Sequence, residues 1–401
     1  MKKILFVIST LNTGGAQKIL SNFVMNLPDE YEAFILLNDT ENIVYPYKGN
    51  IISLGFQPKE DKLNLWYQWR VFFRRIRQMR KLKATGEYIA TVSFMDSANI
   101  ANIISGKKHC KTILSVHNNL TESTASWVYK YFVNPMVRIL YGSADKIIAV
   151  SKGISFDLVN NLKLTNKNIV TIYNGHDIGE IRKLSQIPFT HEVGGGLKGY
   201  PVIATMGRMD YQKGQWHLIR ALTKVKEKFP EVRLLLLGEG ELYSYLKHLV
   251  KECELENHII FCGFMKNPFS ILAKSDAFVL PSMYEGFPNA LVEALSCELP
   301  CVATDFRSGA REILAPELPI NEQIKDTIYK AKFGVLTPVC NGKQYNGKAP
   351  LTDEELFLAE GIITLLQDKE LQMDYRKRSD EAVKKLSIEI MVQKWLEVID
   401  S

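Results

Sequence analysis

The chain has 401 residues, 46 % of them hydrophobic and 23 % charged, with a formal net charge of +6. At roughly 100–200 residues per domain, that length holds about two domains with cores of their own, and the composition is that of a soluble globular protein. No apolar run approaches the roughly 18 residues of a membrane-spanning helix, which excludes an integral helical membrane protein.

The first apolar run, within Met1–Ile8, is too short for a signal peptide and is followed by polar residues and Gly14-Gly15 instead of a cleavage site, so it reads as a buried first strand. In the first half of the chain, strands are expected at Ile4–Ile8, Glu32–Leu37, Ile51–Leu54, Tyr88–Val92, Lys111–Val116, Lys146–Val150 and Ile169–Ile172. Many are β-branched and continuously apolar, as in strands buried on both faces of a parallel sheet. The pattern then restarts. Strands at Val202–Met206, Arg233–Leu237, His258–Phe261, Ala277–Leu280 and Cys301–Thr304 alternate with helices that include Gln215–Lys228, Glu241–Glu252 and Asn289–Ser296. Residues Asp353–Ser401 read as charged helices.

Repeated strand–helix units make doubly wound α/β domains. The chain is therefore expected to hold two Rossmann-like domains facing across a cleft, residues 1–185 and 186–375, with a last helix in 376–401 crossing back to the first. The connection is placed near Gln186–Gly199, which carries Pro188 and Gly194-Gly195-Gly196. Ligands of such domains bind at the carboxyl ends of the strands, hence in the cleft. The halves differ in charge. Residues 1–185 carry 24 Lys and Arg against 14 Asp and Glu, and the remainder carries 26 against 30. A basic half joined to a mildly acidic one points to an anionic partner for one domain. The six cysteines, Cys110, Cys253, Cys262, Cys297, Cys301 and Cys340, form no C-x-x-C pair and read as reduced, mostly buried thiols of a cytosolic protein.

Several residues have the chemistry of a site. Glu285 precedes a helix in the loop Glu285-Gly286-Phe287-Pro288-Asn289, and Glu293 lies one turn inside that helix. A helix N-terminus offers N–H groups to phosphate, and two carboxylates accept hydrogen bonds from sugar hydroxyls. By spacing alone the pair reads as readily as a loop charge and a solvated helix residue. Arg208 and Lys213 after one strand suit a diphosphate, or are two exposed loop cations. Gly14-Gly15 lets backbone amides approach a ligand, or is an ordinary strand-to-helix turn. The dinucleotide-binding fingerprint G-x-G-x-x-G is absent there, which counts against a dehydrogenase. His117, just past a strand, is a core or surface residue as readily as a functional one.

The stretch Leu280–Ala294 resembles the E-x7-E signature of glycosyltransferase family 4, the large retaining family with the GT-B fold. Further pieces resemble that family in order: Gly14-Gly15-Ala16-Gln17, His117, Asp145 through Val150-Ser151, Tyr173-Asn174-Gly175, Gly207-Arg208 through Lys213-Gly214, Gly238-Glu239-Gly240 and Gly309-Ala310-Arg311-Glu312-Ile313. The resemblance implies that Arg208 and Lys213 bind the donor diphosphate and stabilise charge on the leaving nucleotide, so that no metal or other cofactor is needed. No D-x-D motif stands where it would serve. It implies that Glu285 grips the donor sugar and that Gly286, Phe287, Pro288 and Asn289 line the donor site. It also implies that Glu293 holds the ribose, that Gly14 and Gly15 face donor phosphate and acceptor, and that His117 contacts the donor sugar near the reacting centre, with Asn118 and Asn119 beside it.

The donor is expected to be a UDP-N-acetylhexosamine or UDP-hexose, with GDP-mannose as the alternative, and the acceptor a glycan or polyprenyl-diphosphate-linked sugar in cell-surface polysaccharide synthesis. A nucleotide-sugar epimerase or phosphorylase on the same fold, or a two-lobed sugar-binding protein without chemistry, are the competing readings. Finally, Trp66–Lys83 is a basic, aromatic segment with seven cations. It reads as a helix lying on an anionic membrane, giving a cytoplasmic protein peripheral to the inner face of the membrane, or as a solvated helix packing its aromatics on the core. Nucleic-acid binding is not expected, because no nucleic-acid module is recognisable.

Overall fold

Strands of continuous Val, Ile and Leu demand cover on both faces, and helices supply it twice. The computed structural model describes residues 1–12, 14–41, 43–56, 65–107, 109–121, 131, 133–188, 197 and 199–401. The chain divides into two units, Met1–His176 with Leu386–Ser401, and Asp177–Lys385.

In the first unit, β1 (Lys2–Val7), α1 (Gly15–Met25), β2 (Tyr31–Leu37), β3 (Asn50–Ser53), α2 (Leu65–Ala84), β4 (Tyr88–Phe94), α3 (Asp96–Ile104), β5 (Lys111–Val116), α4 (Asn134–Leu140), β6 (Lys146–Ala149), α5 (Lys152–Phe156) and β7 (Ile169–Thr171) follow in order. The seven strands are parallel, in the order β3-β2-β1-β4-β5-β6-β7. The second unit runs α6 (Ile178–Ser185), β8 (Val202–Met206), α7 (Gln215–Lys228), β9 (Arg233–Leu237), α8 (Tyr243–Glu252), β10 (Ile259–Gly263), α9 (Phe269–Leu272), β11 (Ala277–Leu280), α10 (Asn289–Ser296), β12 (Cys301–Thr304), α11 (Ala310–Leu314), β13 (Tyr329–Lys330), β14 (Val335–Thr337), α12 (Asp353–Gln367) and α13 (Lys369–Lys384). Its sheet has the order β10-β9-β8-β11-β12-β14-β13, parallel except for the β13–β14 edge. The last helix, α14 (Ile388–Asp400), belongs to the first unit.

The strand order reverses between β1 and β4 in one unit and between β8 and β11 in the other. Such reversal points leave a crevice at the carboxyl ends of the strands, and the residues following these strands are therefore the ones placed to meet a ligand. Twelve strands were expected and all are present, five of them with the expected limits. The short pair β13 and β14 was not expected, being two and three residues long.

The unit boundaries fall elsewhere than expected. The sequence placed them at 185/186 and 375/376, whereas the contacts place them at 176/177 and 385/386. The cause at the first boundary is α6. Asp177 caps it, accepting from Glu180 N at 2.8 Å, and its neighbours are α9 and α10 of the second unit. At the second boundary, α13 continues unbroken to Lys384 against α10. Of the expected connection Gln186–Gly199, residues 189–196 and 198 lie outside the described residues.

The return segment is tied to the first unit by packing and backbone pairing. His176 N donates to Leu386 O, and Ile388 N to His176 O, each at 3.0 Å. Trp395 meets Phe23 with ring centres 5.4 Å apart and stacks on Phe94 at 6.1 Å. At the far end Asp400 accepts from Lys2 Nζ at 3.0 Å and Tyr31 Oη at 2.5 Å. Gly175 makes this close approach possible. A Cβ there would lie 2.6 Å from Met391 Cβ and 2.9 Å from Ile388 Cα. Overpacking of this kind costs about 1–3 kcal/mol, so Gly175→Ala is expected to lower the denaturant midpoint of unfolding. A midpoint equal to that of the unaltered protein would show that α14 does not need the glycine.

Candidate functional site

In the second unit the site begins where β8 ends. Asp210 terminates the extended segment after Gly207-Arg208, and its carboxylate accepts from Lys213 N at 3.2 Å, shaping the single 3-10 turn Tyr211–Lys213. Gly214 follows with φ 61°, and its Cα lies against the Pro281 carbonyl so closely that a Cβ would collide. Only glycine meets both conditions, and the turn delivers the chain directly into α7. The Lys213 stem crosses Gly207, where a Cβ would sit 3.0 Å from Lys213 Cε.

The Lys213 ammonium pairs with the Glu285 carboxylate. Glu285 is only 5 % exposed, and two further side chains donate to it. Gln212 Nε2 donates to Oε2 and Ser282 Oγ donates to Oε1, each at 2.9 Å. The two loops are also joined by the backbone, Met283 N to Gln212 O at 2.8 Å. Arg208 differs sharply. Its side chain is 76 % exposed, 3.3 Å from Asp210, while its carbonyl accepts from Gln215 Nε2 at 2.9 Å. One cation is thus locked inside the strand-end loops and the other projects from them.

Gly286, Phe287 and Pro288 are buried and Asn289 is half-buried at the start of α10. Pro288 stands immediately before that helix, and Glu293, also buried, lies one turn inside it. Gly309, with φ 98°, faces Pro288 where a Cβ would clash. Its loop is fixed by the buried pair Arg311–Asp305, with Nε to Oδ1 at 3.0 Å. The glycines of Gly238-Glu239-Gly240 serve packing: a Cβ on either would strike the backbone at Gly207 or Met209.

The other expected residues belong to the first unit. Gly14 is extended directly ahead of α1, and Gly15 is its exposed first residue. His117 follows β5, with Nε2 2.8 Å from Ser115 Oγ and its ring 5.5 Å from Phe94. Desolvation on burial pushes its pKa down to about 4, so the imidazole is neutral at pH 7. Asn118 is half-buried and Asn119 buried. The segment after them hangs on Asp157, which accepts from Leu120 N at 3.1 Å and Thr121 N at 3.3 Å.

The structure thus brings Arg208, Lys213, Glu285, Gly286, Phe287, Pro288, Asn289 and Glu293 to the carboxyl ends of β8 and β11, while Gly14, Gly15 and His117 stand at strand ends of the first unit. Sequence reasoning missed Asp210, Gln212 and Ser282, the groups that hold the pair, and Asp157. Gln212 and Ser282 flank residues already singled out, but only the strand pairing of β8 with β11 makes them neighbours.

Two doubly wound units with the return helix define the GT-B class of glycosyltransferase. The whole chain superposes on the whole chain of Anabaena HepE, a structure with UDP and glucose, at a TM-score of 0.72 and 19 % identity. Residues 13–180 match the model of Glycosyltransferase Family 4, and residues 187–320 that of Glycosyl transferases group 1. An uncharacterised glycosyltransferase of Methanocaldococcus jannaschii is 33 % identical over 314 residues, 78 % of this chain and 77 % of the relative. The Campylobacter jejuni N-acetylgalactosamine-N,N'-diacetylbacillosaminyl-diphospho-undecaprenol 4-alpha-N-acetylgalactosaminyltransferase is 27 % identical over 392 residues, 96 % of this chain and 95 % of that enzyme. The chain belongs to glycosyltransferase family 4.

The state of His117 has a consequence for stability. An imidazole titrating at about 4 in the fold, against 6.5 ordinarily, leaves the unfolded chain binding the extra proton between those values. Stability is therefore lost as pH falls through that window. His117→Asn is expected to flatten the dependence of the urea midpoint between pH 7 and pH 4. Identical slopes for the two proteins would mean that the native imidazole is not held neutral.

Proposed function

We propose that this glycosyltransferase retains anomeric configuration, moving a hexosyl or N-acetylhexosaminyl group from a UDP-sugar to a glycan or polyprenyl-diphosphate-linked acceptor in cell-surface polysaccharide synthesis. The observation that carries the reading is the strand-end arrangement of Lys213, paired with buried Glu285, beside the open guanidinium of Arg208. The Campylobacter relative, whose acceptor is diphospho-undecaprenol-linked, and the UDP-bound Anabaena structure support the acceptor and donor classes.

In this reading Arg208 and Lys213 bind the donor diphosphate and neutralise the charge that grows on it as the bond to the anomeric carbon breaks. The held ammonium and the open guanidinium do this without a metal ion. The acceptor oxygen bonds to the anomeric carbon on the face that the nucleotide leaves, through an oxocarbenium-like transition state, and its proton passes to the departing phosphate. Glu285 is ill-suited to covalent attack, because Lys213, Gln212 and Ser282 already engage its carboxylate. It keeps Lys213 in place and meets the donor sugar, Glu293 takes the ribose, and Gly286, Phe287, Pro288 and Asn289 line the donor pocket.

The acceptor class also gives α2 a purpose. Trp66, Trp69 and Phe73 are 82 %, 54 % and 60 % exposed, and Arg70, Arg74, Arg77, Arg80 and Lys81 are exposed with them. The seven cations do not act together, however. Arg75 and Lys83 point into the unit beside Val71, Ile76 and Met79, so five cations and three aromatics remain for an anionic membrane surface. Among the described residues no helix is long and apolar enough to cross a membrane. Peripheral binding at the cytoplasmic face is the corresponding location.

Two measurements test these readings. UDP release from a panel of UDP-sugars should require a glycan or lipid-linked acceptor, and Lys213→Ala, Arg208→Ala and Glu285→Ala should each slow it about 10²–10³-fold. Wild-type rates in Lys213→Ala and Glu285→Ala, or donor binding without transfer, would overturn the catalytic assignment. Replacing Trp66, Trp69 and Phe73 together by Ser should abolish co-sedimentation with vesicles containing anionic lipid while leaving the unfolding temperature in place. Unchanged co-sedimentation would remove α2 from membrane binding.

A further inference from the structure

The segment 338–351 leaves the carboxyl end of β14 and reaches α12 without helix or strand. Loops of this length with no secondary structure are uncommon in compact domains, and ordered ones are often functional. This one is tightly held. Arg220 of α7 donates to three of its carbonyls, Asn346 at 2.5 Å, Ala349 at 3.2 Å and Pro350 at 2.7 Å. Trp216 Nε1 donates to Lys343 O at 2.9 Å, and Tyr245 Oη to Tyr345 O at 3.0 Å. Glu252 of α8 accepts from Gly347 N at 2.8 Å.

The anchor is an ion pair with no solvent contact. Arg220 is 1 % exposed and Glu355, at the start of α12, is 0 % exposed. Their contact is bidentate, Nε to Oε1 at 2.8 Å and Nη2 to Oε2 at 3.0 Å, and His217 Nδ1 lies 2.8 Å from Oε1. Burying such a pair is costly, and well-packed apolar residues would serve stability as well. What the pair secures is the path of the loop.

That path ends against the donor-site turn. Gly342 has φ 76°, and a Cβ there would collide with Tyr211 Oη and lie 3.3 Å from Met283 Cε. Tyr211 opens the turn that closes with Lys213, and Met283 N is bonded to Gln212 O. The Trp216 indole, already bonded to the loop, packs on the Tyr211 ring at 5.4 Å. The loop therefore presses on both strand-end segments that carry the Lys213–Glu285 pair.

We propose that residues 338–351 are a strap, anchored by Arg220 and Glu355, that positions Lys213 for the donor by bracing Tyr211 and Met283. This rests on the donor-site reading above. Tyr211, Gly342 and Arg220 are positioning residues in it, since none needs to touch the substrate.

The test is a double-mutant cycle on the full chain, with kcat and KM measured separately for the UDP-sugar donor and for the acceptor. Gly342→Ala and Tyr211→Ala should each raise the donor KM about tenfold, leave the acceptor KM unchanged, and combine to little more than either alone, because both break one contact. The unfolding temperature is recorded for each, and Lys213→Ala is the control for the site itself. If Lys213→Ala behaves as wild type, the donor-site reading falls and the strap with it. If Lys213→Ala is impaired while the other two change only the unfolding temperature, or their effects on donor KM multiply, the strap alone is overturned.

Discussion

Glu285 is a charge taken out of water and Lys213 a charge largely so, and the loops around them are built to make that tolerable. A buried ion pair gains little net stability unless its remaining hydrogen-bonding capacity is satisfied, and removing one partner leaves the other stranded. Here Ser282 and Gln212 complete the carboxylate from either side. The lysine stem needs Gly207 beneath it, and the turn that launches it needs Asp210 to cap and Gly214 to reverse. Each requirement falls on a residue within a few positions of the end of β8 or β11. These are adjacent parallel strands at the point where the sheet reverses its order, and the general rule for such sheets puts ligands there. The ammonium is thereby held at the carboxyl ends of β8 and β11 by groups that leave it one position.

Much of this was legible in the residues. Continuous apolar strands such as Val202–Met206 and Cys301–Thr304 have one sensible reading, and α7 runs from Gln215 to Lys228 as the glycine before it and the Phe229-Pro230 after it suggest. Lys213 and Glu285 were each visible through their motifs. Their pairing was not, because 72 positions separate them and only the β8–β11 contact brings them together. β14 escaped notice because three buried residues between Gly334 and Pro338 show no period. The unit boundary escaped because a Gly- and Pro-rich stretch looked like a connection, whereas the chain changes allegiance at Asp177, a helix cap.

The charge on α2 is divided between the surface and the interior. Counting cations places all seven outside, yet positions 71, 75, 76, 79 and 83 share the inward stripe, and two of them are Arg75 and Lys83. Arg75 donates to Ser97 at 2.9 Å, Ser9 at 3.1 Å and Asn38 at 2.8 Å. It ties together the loops after β1 and β2 and the start of α3. Burial lowers its pKa to about 10, still charged at neutral pH. Lys83 bonds Asn102 O and Gly106 O at the end of α3, and burial lowers it to about 8. Part of the excess positive charge of the first half is thus interior scaffolding.

The return of α14 to the first unit also bears on how the protein is made. Its Met391, Trp395 and Ile399 complete the core that Phe23 and Phe94 begin, yet they are translated after the whole of the second unit. During synthesis the earlier-made sheet waits with only α1 on the part of its face that α14 will share, while more than half the chain is still to come. The inserted unit, contiguous from Asp177 to Lys385, has all its strands and helices before α14 leaves the ribosome. The order of completion is therefore inner unit first, outer unit last, and the window of exposed apolar surface lies on the unit that begins the chain.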